Sequence, residues 1–258
     1  MNLKEKFLDL FGLCVEKKTS DEQVKKIFRK LLPKKINLDL IRLGENGDGG
    51  YLLPNDLKSI DRCYSAGVGL LAEFEKELEK KFSINSNMLD FNDINKDILP
   101  NNSKFLRKKL SLKNNDKEIS INSWIEESDK EIILKIDIEG DEYAILSNIS
   151  DENLKKIRIL VIELHDLRNL RSHSFLDFFE KIFSRLDMFF HPVHLHINNA
   201  SKVKKINKLK VPDMIEVTLI RKDRIKIVSN EFSKLPHALD QKTVYDKNEI
   251  FLDPNWYI

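Results

Sequence analysis

The stretch Ile132 to Tyr143, I-I-L-K-I-D-I-E-G-D-E-Y, constrains what this chain can fold into more than any other. It is a short run rich in β-branched residues that stops at Asp137, with Gly140 just beyond Glu139. A run of that length, closed by acids and a glycine, predicts a buried central strand that turns into a helix. In an open α/β sheet the carboxyl ends of the strands carry the ligand crevice. Asp137 and Glu139 therefore stand where chemistry is expected. The same acids would also suit the start of the following helix, which favours negative charge.

A second unit of the same kind precedes it. Arg62 to Val68, R-C-Y-S-A-G-V, predicts a strand closed by Gly67-Val68-Gly69, and Leu70 to Phe82 an amphipathic helix with Leu71, Phe74, Leu78 and Phe82 on one face. The next strand, Asn87 to Phe91, ends on Asp90, at the spacing from the glycines where a carboxylate accepts ribose hydroxyls. The third glycine of a dinucleotide fingerprint is missing. Glu73, Glu75 and Glu77 also crowd the helix start that a pyrophosphate would need. The pattern therefore points to a nucleoside cofactor without phosphate, a description S-adenosylmethionine meets. Upstream, Arg42 to Pro54 holds four of the eight glycines of the chain. Asp-Gly marks a hairpin, and such crowding predicts a loop shaped to approach something closely.

The rest reads as strands and helices around this centre. Ser20, with Glu22 and Gln23 behind it, caps the second of two helices expected before Pro33, the first carrying Phe7, Leu8, Phe11, Leu13 and Val15. Residues 103 to 112 form a weak basic strand, Ser120 to Glu127 a short helix, and Glu142 to Ile149 another. Arg158 to His165 is a strand, Ser172 to Phe190 a helix with Phe175, Phe178, Phe179, Ile182, Phe183 and Leu186 inward, and Pro192 to Ile197 and Met214 to Arg221 the last strands. Lys202 to Lys210 reads as a solvated loop without the interleaved aromatics of a nucleic-acid surface. The final thirty residues read as irregular, packed by Phe232, Leu239, Tyr245, Phe251 and Trp256.

Composition excludes several classes. The chain has 258 residues and a formal net charge of +2, so it carries no general field for nucleic acid. Cys14 and Cys63 stand far apart and read as buried thiols of a reducing compartment. No signal peptide or bilayer-spanning run is evident, which predicts a cytoplasmic protein without membrane insertion.

Five of the six histidines fall between His165 and His196. If strand ends share one rim, Asp137, Glu139, Glu163, His165, His196, Asn198 and Asn199 converge there. Asp137, Glu163 and His165 would also suit a divalent metal by ligand type, although no short-range ligand spacing supports one.

With these motifs in view, the chain resembles the FkbM-type S-adenosylmethionine-dependent methyltransferases. The resemblance rests on R-L-G-E-N-G-D-G-G-Y-L-L-P, Y-S-A-G-V-G, L-K-I-D-I-E-G-D-E, V-I-E-L-H, and H-L-H-I-N-N followed by V-P-D-M-I-E-V-T; K-I-D-I-E-G-D-E is the most specific. It implies a Rossmann-like class I α/β fold: a mostly parallel seven-stranded sheet with helices on both faces, a helical extension over residues 1–35 and one domain over 36–258. It also implies methyl transfer to oxygen, often a sugar hydroxyl in polysaccharide biosynthesis, with S-adenosylhomocysteine as product. By that resemblance Gly67, Gly69 and Asp90 hold the cofactor beside Ser65, Phe91 and Asp137, and the loop of Asp48, Gly49 and Gly50 closes over it. Ser65 stands where many methyltransferases carry an acid.

A sugar hydroxyl needs a base or a metal. The candidate bases are His165 and His196, with Asp137 or Glu139 orienting them, and Arg42, Asn198, Asn199 and Glu216 are the candidate acceptor contacts. The expected partner is a small-molecule or glycan acceptor such as a nucleotide sugar, with a homo-oligomer left open. A non-catalytic scaffold on the same fold, or a nicotinamide-dependent sugar oxidoreductase, are the alternatives.

Overall fold

A computed structural model describes residues 16–126 and 128–257. The first expected helix and Cys14 lie outside the described residues. Seven strands build the central sheet: β1 (Arg62–Ala66), β2 (Asn85–Asp90), β3 (Lys104–Arg107), β4 (Ile132–Ile136), β5 (Ile157–Leu164), β6 (Phe190–Ile197) and β7 (Ile215–Arg221). Their order is β6-β7-β5-β4-β1-β2-β3. β7 runs antiparallel to both β5 and β6, and the remaining pairs are parallel. This is the Rossmann-like methyltransferase arrangement. The chain leaves β1 toward β2 and β3 and returns on its other side to β4, so the order reverses between β1 and β4, where such sheets bind ligands.

The alternation of side chains along a strand explains the layers. In β4, Ile132, Leu134 and Ile136 enter one apolar cluster, while Ile133 enters the cluster on the opposite face. β5 divides likewise, with Leu160, Ile162 and Leu164 on one side and Ile159 and Val161 on the other. Helix α1 (Asp21–Phe28) opens with the Ser20–Gln23 capping box and buries Val24, Ile27 and Phe28 in the first cluster. Helix α2 (Glu73–Phe82) presses Phe74 and Leu78 into the second. Helices α3 (Ile121–Ile125), α4 (Glu142–Asn148), α5 (Asp151–Lys156) and α6 (His173–Phe189) complete the set among the described residues, with the aromatic stripe of α6 in the first cluster. No helix among the described residues is long and apolar enough to cross a membrane.

Several expectations change. Leu71 is exposed because α2 begins only at Glu73, and Phe178 is on the outer side of α6. The lysine-rich stretch is a hairpin, Val203–Ile206 paired with Leu209–Pro212, not a loop. Ile227–Phe232 pairs with Lys34–Ile36, so the C-terminal region starts with a strand. Of its expected packing residues, Trp256 is fully buried but Leu239, Tyr245 and Phe251 are exposed. Cys63 is buried.

Candidate functional site

A cleft of about 560 Å³ opens where the sheet order reverses, within the range of small-molecule sites. Its floor is the crossing of two strand ends. The Gly67 N–H donates to Leu89 O at 2.9 Å and the Asp137 N–H to Ala66 O at 3.0 Å. Gly67 has φ +78°, and a Cβ on it would lie 1.5 Å from the Asp137 carbonyl oxygen, so only glycine permits the approach. Gly69, at φ +63°, differs: nothing lies within 4 Å of where its Cβ would be, because it faces the cleft.

Asp90 lines the same wall. Its Oδ2 accepts from the N–H groups of Val68 (3.0 Å) and Gly69 (3.3 Å), and its Oδ1 from Asn92 (2.8 Å). It holds the glycine turn and still faces the cavity. Phe91 projects beside it, two-thirds exposed. Ser65 is fully buried and donates to Glu75 Oε1 at 2.5 Å. Glu75 lines the cleft, so α2 supplies the acid that position 65 lacks.

The opposite lip comes from the glycine-rich segment, where Leu40–Leu43 pairs with Tyr51–Pro54. The hairpin and the shaped loop are one object. Arg42 reaches back to the carbonyls of Glu45 (2.8 Å) and Gly47 (3.1 Å), so its guanidinium serves the loop's own backbone. Asp48, Gly49 and Tyr51 face the cleft; Gly50 is buried against Arg42.

The acidic floor lies past the end of β4. Glu139 and Gly140 both take positive φ, +60° and +115°, which swings the chain from the strand into α4. The buried Glu142 holds that bend: its Oε1 accepts from the N–H groups of Ile138 and Gly140, each at 3.1 Å, and lies 2.9 Å from His165 Nδ1. The other ring nitrogen of His165 is 3.4 Å from Glu139. Donor atoms of Asp137, Glu163 and His165 all lie within 4.8 Å of one another. Tyr51 donates to Asp137 Oδ2 at 3.3 Å and Asn198 to Glu163 Oε1 at 2.8 Å. Lys135, buried in mid-strand, donates to the Gly67 carbonyl at 2.9 Å.

Burial raises the Asp137 carboxyl. Burial, with the charges of Asp137 and Glu216, pushes Glu163 up to about 9. Burial opposes charge on His165, but the hydrogen bond and charge of Glu142, with Glu163 and Asp137, prevail and push it up to about 9.

The remaining predicted residues divide from this group. His196 does not line the cleft. Its ring lies between Glu216 (3.4 Å) and Glu249 (3.2 Å). Asn199 donates to Val244 O at 2.8 Å and accepts from Val244 N–H at 2.7 Å, tying down the C-terminal segment. Glu216 faces His196 from β7, opposite Glu163 in the ladder. Tyr51, Glu75, Lys135 and Glu142 were missed from the sequence. A lone lysine inside an apolar strand was the one signal that could have found any of them.

His196 yields a pH prediction. Burial disfavours its charge, but Glu216, Asp240 and Glu249 outweigh that and push it up to about 9. A group raised on folding stabilises fully below its unfolded value near 6.5, and the gain is lost as pH rises through about 9. We expect His196→Gln to destabilise by up to about 3 kcal/mol at pH 6 and by much less at pH 9.5. Urea unfolding at both pH values measures this, and a pH-independent difference would refute it.

A family model described as a methyltransferase FkbM domain matches residues 53–191, more than half of the chain. No curated protein matches the sequence. Among solved structures the chain is similar to "Human methyltransferase 10 domain containing protein", with TM-score 0.35 and 11% identity over 64% of this chain and 73% of that one. It is also similar to "delta-N METTL16 MTase domain", with TM-score 0.34 and 11% identity over 84% of this chain and 93% of that one.

Proposed function

The chain belongs to the FkbM methyltransferase family, and from that premise we propose that it is an S-adenosylmethionine-dependent O-methyltransferase acting on a sugar hydroxyl of a nucleotide-linked sugar or glycan. The observation that carries this reading is one cleft with a glycine turn and Asp90 on one wall and a carboxylate-rich floor on the other.

The residues present fit the cofactor. Gly69 leaves open space where a side chain would stand, and Asp90 keeps acceptor capacity for ribose hydroxyls beyond its three backbone bonds. Phe91 offers an exposed ring face to a base. When bound, S-adenosylmethionine would supply an electrophilic methyl group for the acceptor oxygen, leaving S-adenosylhomocysteine as product. What the chain must add is alignment and proton removal. Asp137 on the floor and Glu139 at the rim are the carboxylates that reach an acceptor, and one of them takes the hydroxyl proton. Lys108 and Lys109 at the mouth suit the phosphates of a nucleotide-linked sugar. The polar floor also favours this reading over a scaffold, which has no use for clustered buried acids.

Calorimetric titration with S-adenosylhomocysteine tests it. We expect binding by the wild type, weakened about tenfold or more by Asp90→Asn, which keeps an oxygen for the glycine turn but removes the charge that strengthens bonds to ribose. A well-folded wild type that does not bind at millimolar ligand would defeat the reading.

A further inference from the structure

The acids at the cleft floor and behind it exceed what proton transfer requires. Asp137, Glu163 and Glu142 surround His165, and Glu216 faces Glu163 across the β5–β7 ladder. Glu142 is fully buried, and its Oε2 has no hydrogen-bond partner among the described residues. Acids packed this closely are costly to bury unless their charge is neutralised. Lys135 offsets part of the charge of Asp137, though its ammonium also donates to the Gly67 carbonyl.

We propose that Asp137, Glu163 and His165 bind a divalent cation just behind the cleft floor, which Asp137 lines. Three features support a built site. Donor atoms of all three residues lie within 4.8 Å of one another, a spacing that a single ion can bridge. Each ligand is oriented by a residue outside the triad: Asp137 by Tyr51, Glu163 by Asn198 and His165 by Glu142. The carboxylate on His165 Nδ1 leaves Nε2, which faces only the exposed Glu139 at 3.4 Å, to ligate, an arrangement that recurs behind metal-bound histidines. Finally, Asp137 lines the cleft, so an ion held there keeps positions open to a substrate. Two carboxylates and one imidazole suit a cation of intermediate hardness such as Mn²⁺.

The ion's use rests on the methyltransferase reading above; its binding does not. A cation beside the acceptor hydroxyl lowers its pKa and fixes its position. With Asp137 engaged as a ligand, the hydroxyl proton passes to the Glu139 carboxylate at the rim. The O–CH₃ bond forms, the S–CH₃ bond breaks with its pair on sulfur, and the charge on the ion is unchanged.

The test uses full-length protein stripped with EDTA and titrated with MnCl₂, following the free-ion signal by electron paramagnetic resonance. We expect one Mn²⁺ per chain, with affinity at least tenfold lower in Glu163→Gln and in His165→Ala. Thermal melts guard against misfolding. At a hundredfold excess over Kd, Mn²⁺ should raise the wild-type Tm by about 5 °C. It should raise that of Glu163→Gln, which keeps the size and shape of the side chain, by no more than about half as much. No binding at 1 mM by folded wild type, or equal binding by both variants, would overturn the site. S-adenosylhomocysteine titrated in EDTA keeps the two ideas apart: cofactor binding without Mn²⁺ binding refutes only the metal, and the reverse refutes only the methyltransferase.

Discussion

Gly67→Ala should abolish cofactor binding, lowering affinity for S-adenosylhomocysteine by at least about a hundredfold, and should reduce Tm by about 10 °C. The added Cβ would lie 1.5 Å from the Asp137 carbonyl oxygen, and backbone atoms of neighbouring strands cannot swing aside as a side chain can. A φ of +78° adds about 1–2 kcal/mol for any L-residue. Overpacking typically costs about 1–3 kcal/mol, and a backbone collision stands at or above that range. At about 2–4 °C per kcal/mol for a chain this long, the shift is readily measured. The loss of binding should exceed what instability explains, because relief of the clash parts the ends of β1 and β4, the floor of the cleft. Gly69→Ala is the contrast in stability: its Cβ meets no protein atom within 4 Å, so the fold bears only the strain of its φ. A Gly67→Ala protein with wild-type affinity would refute the close approach.

Trp256→Ala should cost about 3–5 kcal/mol, seen as a Tm lower by about 10 °C. The indole is fully buried, stacks on Phe28 with ring centroids 4.2 Å apart, and donates to Lys210 O at 3.1 Å. It joins α1, the Val203–Pro212 hairpin and the chain's end. It also anchors a segment that reaches the strand ends: Asp240 lies 2.8 Å from His194, Glu249 holds His196, Val244 holds Asn199, and Tyr245 donates to the Asn46 carbonyl in the glycine loop. Trp256→Phe keeps the stacking and loses the donor, so it should recover part of the stability. A Tm for Trp256→Ala within 2 °C of wild type would sink the argument.

The parts of the site legible in the sequence were those a strand end fixes by itself. Asp137, Glu163 and His165 meet because β4 and β5 are adjacent and parallel, and each ends in the cleft region. Gly67 and Asp90 were legible for the same reason on β1 and β2. Glu75 and Glu142 were not. Each is a helical acid that looks like ordinary first-turn charge until tertiary packing turns it inward, to Ser65 in one case and to His165 in the other. His196 and Asn199 read as site residues because their strand end pointed there. Their partners, Glu249 and Val244, come from an aperiodic stretch that no pattern places. The exposed Phe178 marks the limit of periodicity: a long aromatic run on a helix has more rings than one face can cover.

The position of β7 bears on how the chain is made. This strand is the last of the sheet in sequence yet lies between β5 and β6. During synthesis from the N-terminus, β1 to β5 can assemble while β7 is still being made. Through that interval β5, all eight of whose residues are buried in the finished fold, presents a bare apolar edge. Open edges of this kind pair readily with strands of other chains. The nascent protein is therefore open to edge pairing in the interval between the emergence of residue 164 from the ribosome and that of residue 221.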